Sequence, residues 1–230
     1  LNPSSAASDV YKRQTQDHKA RDNGDKGPNT GGMGAYSPAP VVTNEVYDRI
    51  MNEVIEPTVI GMAEEGNTYI GFLYAGLMIM PDGSPKVIEY NCRFGDPETQ
   101  PIMMRLESDL LDLCNAALDK KLSSHTIKWD TRSALGVVIA SGGYPNKYNT
   151  GDVVAGLPVK PSNNSKVFHS GTSTVDGNVV TSGGRVLCAV GLGANISYAK
   201  EEAYKVAKEI HWERSFFRDD IGYRAIEREQ

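Results

Sequence analysis

Apolar residues recur at helical spacing in three stretches of the chain and at strand density in several others. Over residues 45–64, Val46, Ile50, Val54 and Ile55 fall on one face, which predicts a helix capped by Asn44. Pro57 lies inside it and, having no amide hydrogen, is expected to bend or divide it. Residues 68–80 (TYIGFLYAGLMIM) have the aromatic and aliphatic density of a buried strand pair or one long strand. The turn sequence Pro81-Asp82-Gly83-Ser84-Pro85 follows, then a second apolar run, so 72–91 reads as a hairpin. Leu106, Leu110, Leu113, Ala117 and Leu118 predict a helix over 102–120 with a core-facing stripe.

Beyond a polar linker at 121–131, strand-like segments stand at 133–141, 165–171, 176–181 and 185–193, broken by glycine-rich turns. A helix over 198–211 comes next, with Ser197 as cap and Ala199, Ala203, Val206, Ala207 and Ile210 as its buried stripe. Residues 16–40 are polar and rich in Gly and Pro and read as loop. Residues 1–14 (LNPSSAASDVYKRQ) show no apolar period and are expected to be a disordered extension outside the fold. The pattern as a whole is α+β, with one block over 15–121 and a small α+β block over 132–230.

Composition narrows the function. The chain has 230 residues, 40% hydrophobic and 23% charged, with a formal net charge of −5. An acidic balance without a basic stripe argues against nucleic-acid binding, and no apolar run reaches membrane-spanning length. The three cysteines, Cys92, Cys114 and Cys188, are too widely spaced for a disulfide framework or a zinc site. A reducing, cytoplasmic setting is expected.

The densest chemistry lies in Val-Ile-Glu-Tyr-Asn-Cys-Arg-Phe-Gly-Asp-Pro-Glu-Thr-Gln, residues 87–100. Along a strand Glu89 and Asn91 project to the same side. A carboxylate and an amide carbonyl so placed make a compact pair of hard oxygens. Mg²⁺ is commonly held by one or two such protein ligands plus substrate phosphates. Arg93 can grip phosphate or carboxylate oxygens as a fork, and Gly95 and Pro97 end the strand beside Asp96 and Glu98. The competing reading, a solvated strand face, is weakened by the number of charged groups crowded at the strand's end.

Gly27-Pro28-Asn29-Thr30-Gly31-Gly32-Met33-Gly34 is a second candidate. Glycines allow close backbone approach and can aim successive N–H groups at an anion, although the loop is neither a Walker motif nor a dinucleotide fingerprint. Asp17, His18, Lys19 and Arg21 stand just upstream. A run of tight turns is the alternative, as it is for Ser141-Gly142-Gly143-Tyr144-Pro145 and Gly183-Gly184-Arg185.

In order along the chain, QDHKARDNGDKGPNTGGMGAYSPAP, GFLYAGLMI, VIEYNCRFGDPETQ, ASGGYP and GGRVLC closely resemble the glycinamide ribonucleotide synthetase (phosphoribosylamine–glycine ligase) family of ATP-grasp enzymes, over residues 16–230. The resemblance implies the carboxy-terminal part of an ATP-grasp module followed by a small terminal domain. It implies ATP-dependent ligation of glycine to 5-phosphoribosylamine in purine biosynthesis, with Mg²⁺ or Mn²⁺ held by Glu89 and Asn91. It makes Arg93 and Asp96 catalytic, and Asp17, His18, Lys19, Asn29, Thr30, Gly31, Gly32 and Arg185 substrate-binding. The expected partners are small molecules (ATP, glycine and 5-phosphoribosylamine), with no nucleic acid and no membrane. The family's Asp-His-Lys-Arg is broken here by Ala20, with Arg21 one place late. About the first half of a typical family chain is also unmatched, so the chain alone is expected to be inactive. Another ATP-grasp ligase or carboxylase, or a non-catalytic fragment, are the alternatives.

Overall fold

The computed structural model describes residues 14–160 and 162–229. The expected extension at 1–14 lies outside them, apart from Gln14. Helices and strands are mixed as an α+β chain requires, and they form two compact units that interleave along the sequence. The first takes in Ala39–Gly95 and Leu106–Trp129; the second takes in Thr15–Pro38, Asp96–Arg105 and Asp130–Gln230. Contacts thus group the chain differently from a division near 121–132, because early segments join the later block's sheet.

Short strands β1 (Gln16–Asp17), β2 (Ala20–Asp22), β3 (Lys26–Asn29) and β4 (Gly34–Ser37) occupy the stretch that reads as loop. Little in their own composition marks them. β4 is buried at every residue because it pairs with β7 (Ser133–Ala140).

In the first unit, α1 (Asn44–Ile50) is capped by Thr43, whose side chain accepts from the Val46 N–H at 3.3 Å, so the cap falls one residue earlier than expected. A π-helical turn, Met51–Ile55, leads into α2 (Glu56–Glu64). It sits just before Pro57, which cannot donate to the carbonyl four residues back and whose ring crowds it. A widened turn accommodates that defect without ending the helical course. β5 (Tyr74–Ile79) and β6 (Pro85–Asn91) form the hairpin, with Gly76 opposite Glu89 and Tyr74 opposite Asn91. Leu77 and Ile79 pack on Val46, Tyr47 and Ile50.

The helix expected over 102–120 is two helices, α3 (Thr99–Arg105) in the second unit and α4 (Leu110–Leu118) in the first. Asp109 restarts the helix by accepting from Leu111 N at 2.8 Å and Asp112 N at 3.2 Å. The restart shifts the helical phase. Ala116 is buried, whereas Leu118, expected in the stripe, is 68% exposed.

The second unit is built on an antiparallel sheet of order β1-β4-β7-β11-β8, with β8 at Ser165–His169 and β11 at Arg185–Gly193. β7 is buried at all eight residues because both its faces are covered. Leu135, Val137, Ile139, Leu187 and Ala189 pack with Ile196, Ala199, Ala203 and Ala207 of α5 (Ile196–Ala207), which Asn195 rather than Ser197 caps. A Cβ on Gly191 would lie 2.3 Å from the Ala199 carbonyl, so glycine there sets how closely helix and sheet approach. On the other face Ala134, Val138, Cys188 and Val190 form a second cluster, joined by Met104 of α3. β9 (Thr172–Val175) and β10 (Asn178–Thr181) make a separate hairpin, and α6 (Tyr223–Glu229), which the apolar pattern does not predict, ends the unit.

Candidate functional site

Four segments of the second unit converge at the sheet's end: the β3–β4 loop, the residues before α3, the turn after β7 and the start of β11. From β11, Arg185 donates Nη2 to the Asp96 carboxylate at 2.6 Å and Nη1 to the Gly31 carbonyl at 2.9 Å. The Tyr144 hydroxyl accepts the Gly31 N–H at 2.9 Å. Asp96, Tyr144 and Arg185 line a cavity of about 300 Å³, together with Gln100, Ser170 and Gly184 among others. Glycine 184 is needed because a Cβ there would sit 2.3 Å from the Tyr144 ring. Cys188 also lines the cavity; burial pushes its thiol up to about 12, so it stays protonated and inert at neutral pH.

The glycine loop does not act as an open anion cradle. Its four successive N–H groups are all taken: Thr30 donates to Lys19 O at 2.8 Å, Gly31 to Tyr144, Gly32 to Thr30 Oγ1 at 3.0 Å, and Met33 to His18 O at 2.8 Å. The glycines serve close packing instead. A Cβ on Gly31 would meet the Arg185 guanidinium at 2.7 Å, and one on Gly32, whose φ is +118°, would meet Pro97 at 2.3 Å. The loop therefore holds the Asp96–Pro97 segment and Arg185 in place.

The residues expected upstream divide. Asp17 and Lys19 form an ion pair at 2.6 Å, and Lys19 is exposed. Arg21 forks onto Asp22 at 2.7 and 2.9 Å. His18 turns inward: its side chain is fully enclosed between Tyr36 and Tyr223. Its Nε2 accepts the Gly222 N–H at 3.1 Å and its Nδ1 lies 3.5 Å from Asp25. Burial, with the Arg218 guanidinium nearby, lowers its pKa to about 4, so the ring is neutral at pH 7. A ring so enclosed positions its neighbours and has no free edge for a ligand.

Sequence reasoning missed the group that encloses it. Arg218, 1% exposed, donates to Asp220 through Nε and Nη2, both at 2.8 Å, and through Nη1 to Asp25 at 2.9 Å and Ala20 O at 3.0 Å. Tyr223 and Arg224 donate to the other Asp25 oxygen. Burial alone would raise the Asp25 pKa, but hydrogen bonds from Tyr223 and Arg218 and the charge of Arg224 hold it well below the usual carboxylate range. The available signal was a charged triplet, Arg218-Asp219-Asp220, set between Phe216-Phe217 and Ile221. Tyr144 was visible only as part of a turn.

In the first unit, Glu89 and Asn91 follow one another at alternate positions of β6, on one face. Among the described residues no cation pairs with the Glu89 carboxylate and no hydrogen bond occupies the Asn91 side chain. Two unengaged hard oxygens fit a Mg²⁺-type ion that takes its other ligands from phosphates and water. No cluster of three or more His, Cys, Asp or Glu side chains fit for a metal occurs among the described residues. Arg93 is exposed and donates to Phe94 O at 2.7 Å.

Family models match two stretches: the ATP-grasp (A) domain of phosphoribosylglycinamide synthetase over residues 6–99 and its C domain over 134–224. The chain belongs to the phosphoribosylglycinamide synthetase family. Phosphoribosylamine–glycine ligase of Vibrio parahaemolyticus is 65% identical over 216 residues, which cover 94% of this chain and 50% of the relative. That of Salmonella typhimurium is 64% identical, covering 94% and 51%. The chain thus spans about half the length of the curated relatives it matches. The crystal structure of phosphoribosylamine–glycine ligase from Thermotoga maritima matches with a TM-score of 0.82 at 34% identity, over 91% of this chain and 51% of that one. A biotin carboxylase subunit of pyruvate carboxylase, at 14% identity and a TM-score of 0.56, shares the fold. The family's two named domains account for an α+β ATP-grasp part followed by a terminal one. No helix among the described residues is long and apolar enough to cross a membrane.

Proposed function

We propose that this chain is the carboxy-terminal part of an ATP-dependent carbon–nitrogen ligase that joins glycine to 5-phosphoribosylamine, in the cytoplasm, as a step of purine biosynthesis. One glycine carboxylate oxygen attacks the γ-phosphorus of ATP, ADP leaves, and an acyl phosphate forms. The amine of 5-phosphoribosylamine then attacks the acyl carbon. The C–O bond to phosphate breaks, the nitrogen loses a proton, and glycinamide ribonucleotide and phosphate result. Such chemistry needs the anionic reactants held together and the transferring charge stabilised.

Glu89 and Asn91 would hold Mg²⁺ or Mn²⁺, which when bound neutralises nucleotide phosphate charge. Arg93 would face the transferring phosphate. Asp96 and Arg185 would orient the phosphoribosylamine, with Thr30, Gly31 and Gly32 holding those two residues in place and Asp17, Lys19 and Asn29 at the margin. His18 would act through position only. The observation that carries this reading is the meeting of Asp96, Tyr144 and Arg185, from three distant parts of the sequence, on one cavity.

The test is a chimera in which these 230 residues replace the matching half of the Vibrio parahaemolyticus relative. ATP- and glycine-dependent product formation is expected. It should fall at least 100-fold in Arg185→Met, and its metal requirement should rise in Glu89→Gln. The 230 residues alone should not turn over. An inactive but folded chimera would sink the reading.

A further inference from the structure

Asn23 is followed by Gly24, the single Asn-Gly step in the sequence, and both residues are exposed in the tight turn between β2 and β3. Gly24 and Asp25 stand in the left-handed region there, at φ +68° and +55°. Asparagine before glycine is the pairing most open to loss of its side-chain amide, because no Cβ shields the backbone nitrogen that attacks it.

Two carboxylates from late in the sequence meet this turn, within the second unit. Asn23 Oδ1 accepts the Asp219 N–H at 3.0 Å, and Asn23 Nδ2 donates to Asp219 Oδ2 at 3.4 Å. The Gly24 N–H donates to Asp220 Oδ2 at 2.7 Å, the oxygen that also receives Arg218 Nη2 at 2.8 Å. Both reacting groups are thus engaged. Attack requires Gly24 to give up its proton, which would leave an amide anion facing a carboxylate, a like-charge contact that disfavours ionisation. Burial alone would raise the Asp220 pKa, but the hydrogen bonds from Arg218 and Gly24 lower it, so this carboxylate is a poor base for that proton. The Asn23 side chain must also leave Asp219 to bring Cγ to the Gly24 nitrogen.

We infer that Asn23–Gly24 is a site of covalent modification by deamidation, held closed in the native fold by Asp219 and Asp220. The Gly24 nitrogen attacks Asn23 Cγ and closes a cyclic imide. The Cγ–Nδ2 bond breaks, and ammonia leaves with the Gly24 proton. Water then opens the imide at Cγ to give aspartate, or at the Asn23 carbonyl carbon to give isoaspartate. Either product exchanges the amide donor for a carboxylate in a turn that already faces Asp219 and Asp220.

Peptide mapping by mass spectrometry follows amide loss at Asn23 during incubation at pH 8. The folded 230-residue chain should react at least tenfold more slowly than a synthetic peptide of residues 17–30, which has the same Asn-Gly step without the two late carboxylates. Asp220→Asn keeps the shape and removes the charge facing Gly24, and should raise the rate in the folded chain at least threefold. Asp219→Ala, on an exposed residue outside the Arg218 pairing, should raise it at least twofold, and it decides the matter if melting curves show that Asp220→Asn does not fold. A folded chain that reacts as fast as the peptide, or faster, overturns the restraint. A peptide that keeps its amide overturns the site. An unchanged rate in either folded variant overturns the part given to that carboxylate.

Discussion

His18 shows how one side chain can carry a motif's position without its chemistry. Its ring is neutral in the fold because burial and the adjacent Arg218 charge lower its pKa from 6.5 to about 4. The unfolded chain takes up a proton there below about pH 6.5, whereas the folded ring resists until about pH 4. Stability is therefore present above that window and lost as pH falls through it, by about 3 kcal/mol in all. Asp25, held low by Tyr223, Arg218 and Arg224, adds a further loss at more acid pH. Urea midpoints at pH 7, 5.5 and 4.5 should decline for the wild type. In His18→Gln, which keeps an acceptor for the Gly222 amide but cannot titrate, the decline between pH 6.5 and 4.5 should be much flatter. Equal slopes in the two proteins would remove His18 as the source.

Among the elements, those whose own residues generate their burial were legible in the sequence. The α5 stripe of alanines, and the apolar runs of β7 and β11, follow from periodicity alone, although the helix ends at Ala207 and Ile210 reaches the core from beyond it. β4 was not legible, because Gly34-Ala35-Tyr36-Ser37 becomes a strand only through β7 beside it. The break between α3 and α4 was marked by Ser108-Asp109, a cap signal outweighed by the leucine spacing. For the glycine loop an anion cradle and a run of tight turns both stand open in the sequence, since nothing local reveals that Lys19, Tyr144 and His18 receive its amides. Substitution separates the two readings. Gly32→Ala forces a side chain onto a φ of +118° and a Cβ to within 2.3 Å of Pro97, so it should cost well over 2 kcal/mol. Gly177→Ala in the β9–β10 turn, at φ +78° with nothing within 4 Å, should cost only about 1 kcal/mol. Thermal melts of both variants measure the difference; comparable losses would mean that the Gly32–Pro97 contact yields easily.

For the whole chain the two units differ in how well they are closed. The second has a sheet covered on both faces, with nine hydrophobic residues of β7 and β11 fully shielded from water. The first rests on a two-stranded hairpin, an element of marginal stability unless packed against something else. Only one side of β5 meets α1, through Leu77 and Ile79. Met78 is 54% exposed and Ile88 65%, with Val87 and Tyr90 beside them, and Leu111 of α4 is 68% exposed. So many large apolar side chains on one small unit exceed the scatter expected of an isolated surface. Their exposure also explains why apolar density alone predicts a longer buried strand over 68–80 than the six residues of β5. The 230-residue chain should consequently bind a hydrophobic dye such as anilinonaphthalene sulfonate in its native state at pH 7. Ile88→Lys with Met78→Lys should cut that fluorescence by at least half and leave the melting temperature within about 2 °C, because neither side chain contributes to the α1 packing. Dye binding unchanged by the pair, or a collapse of stability on making it, would show that these residues are covered in solution.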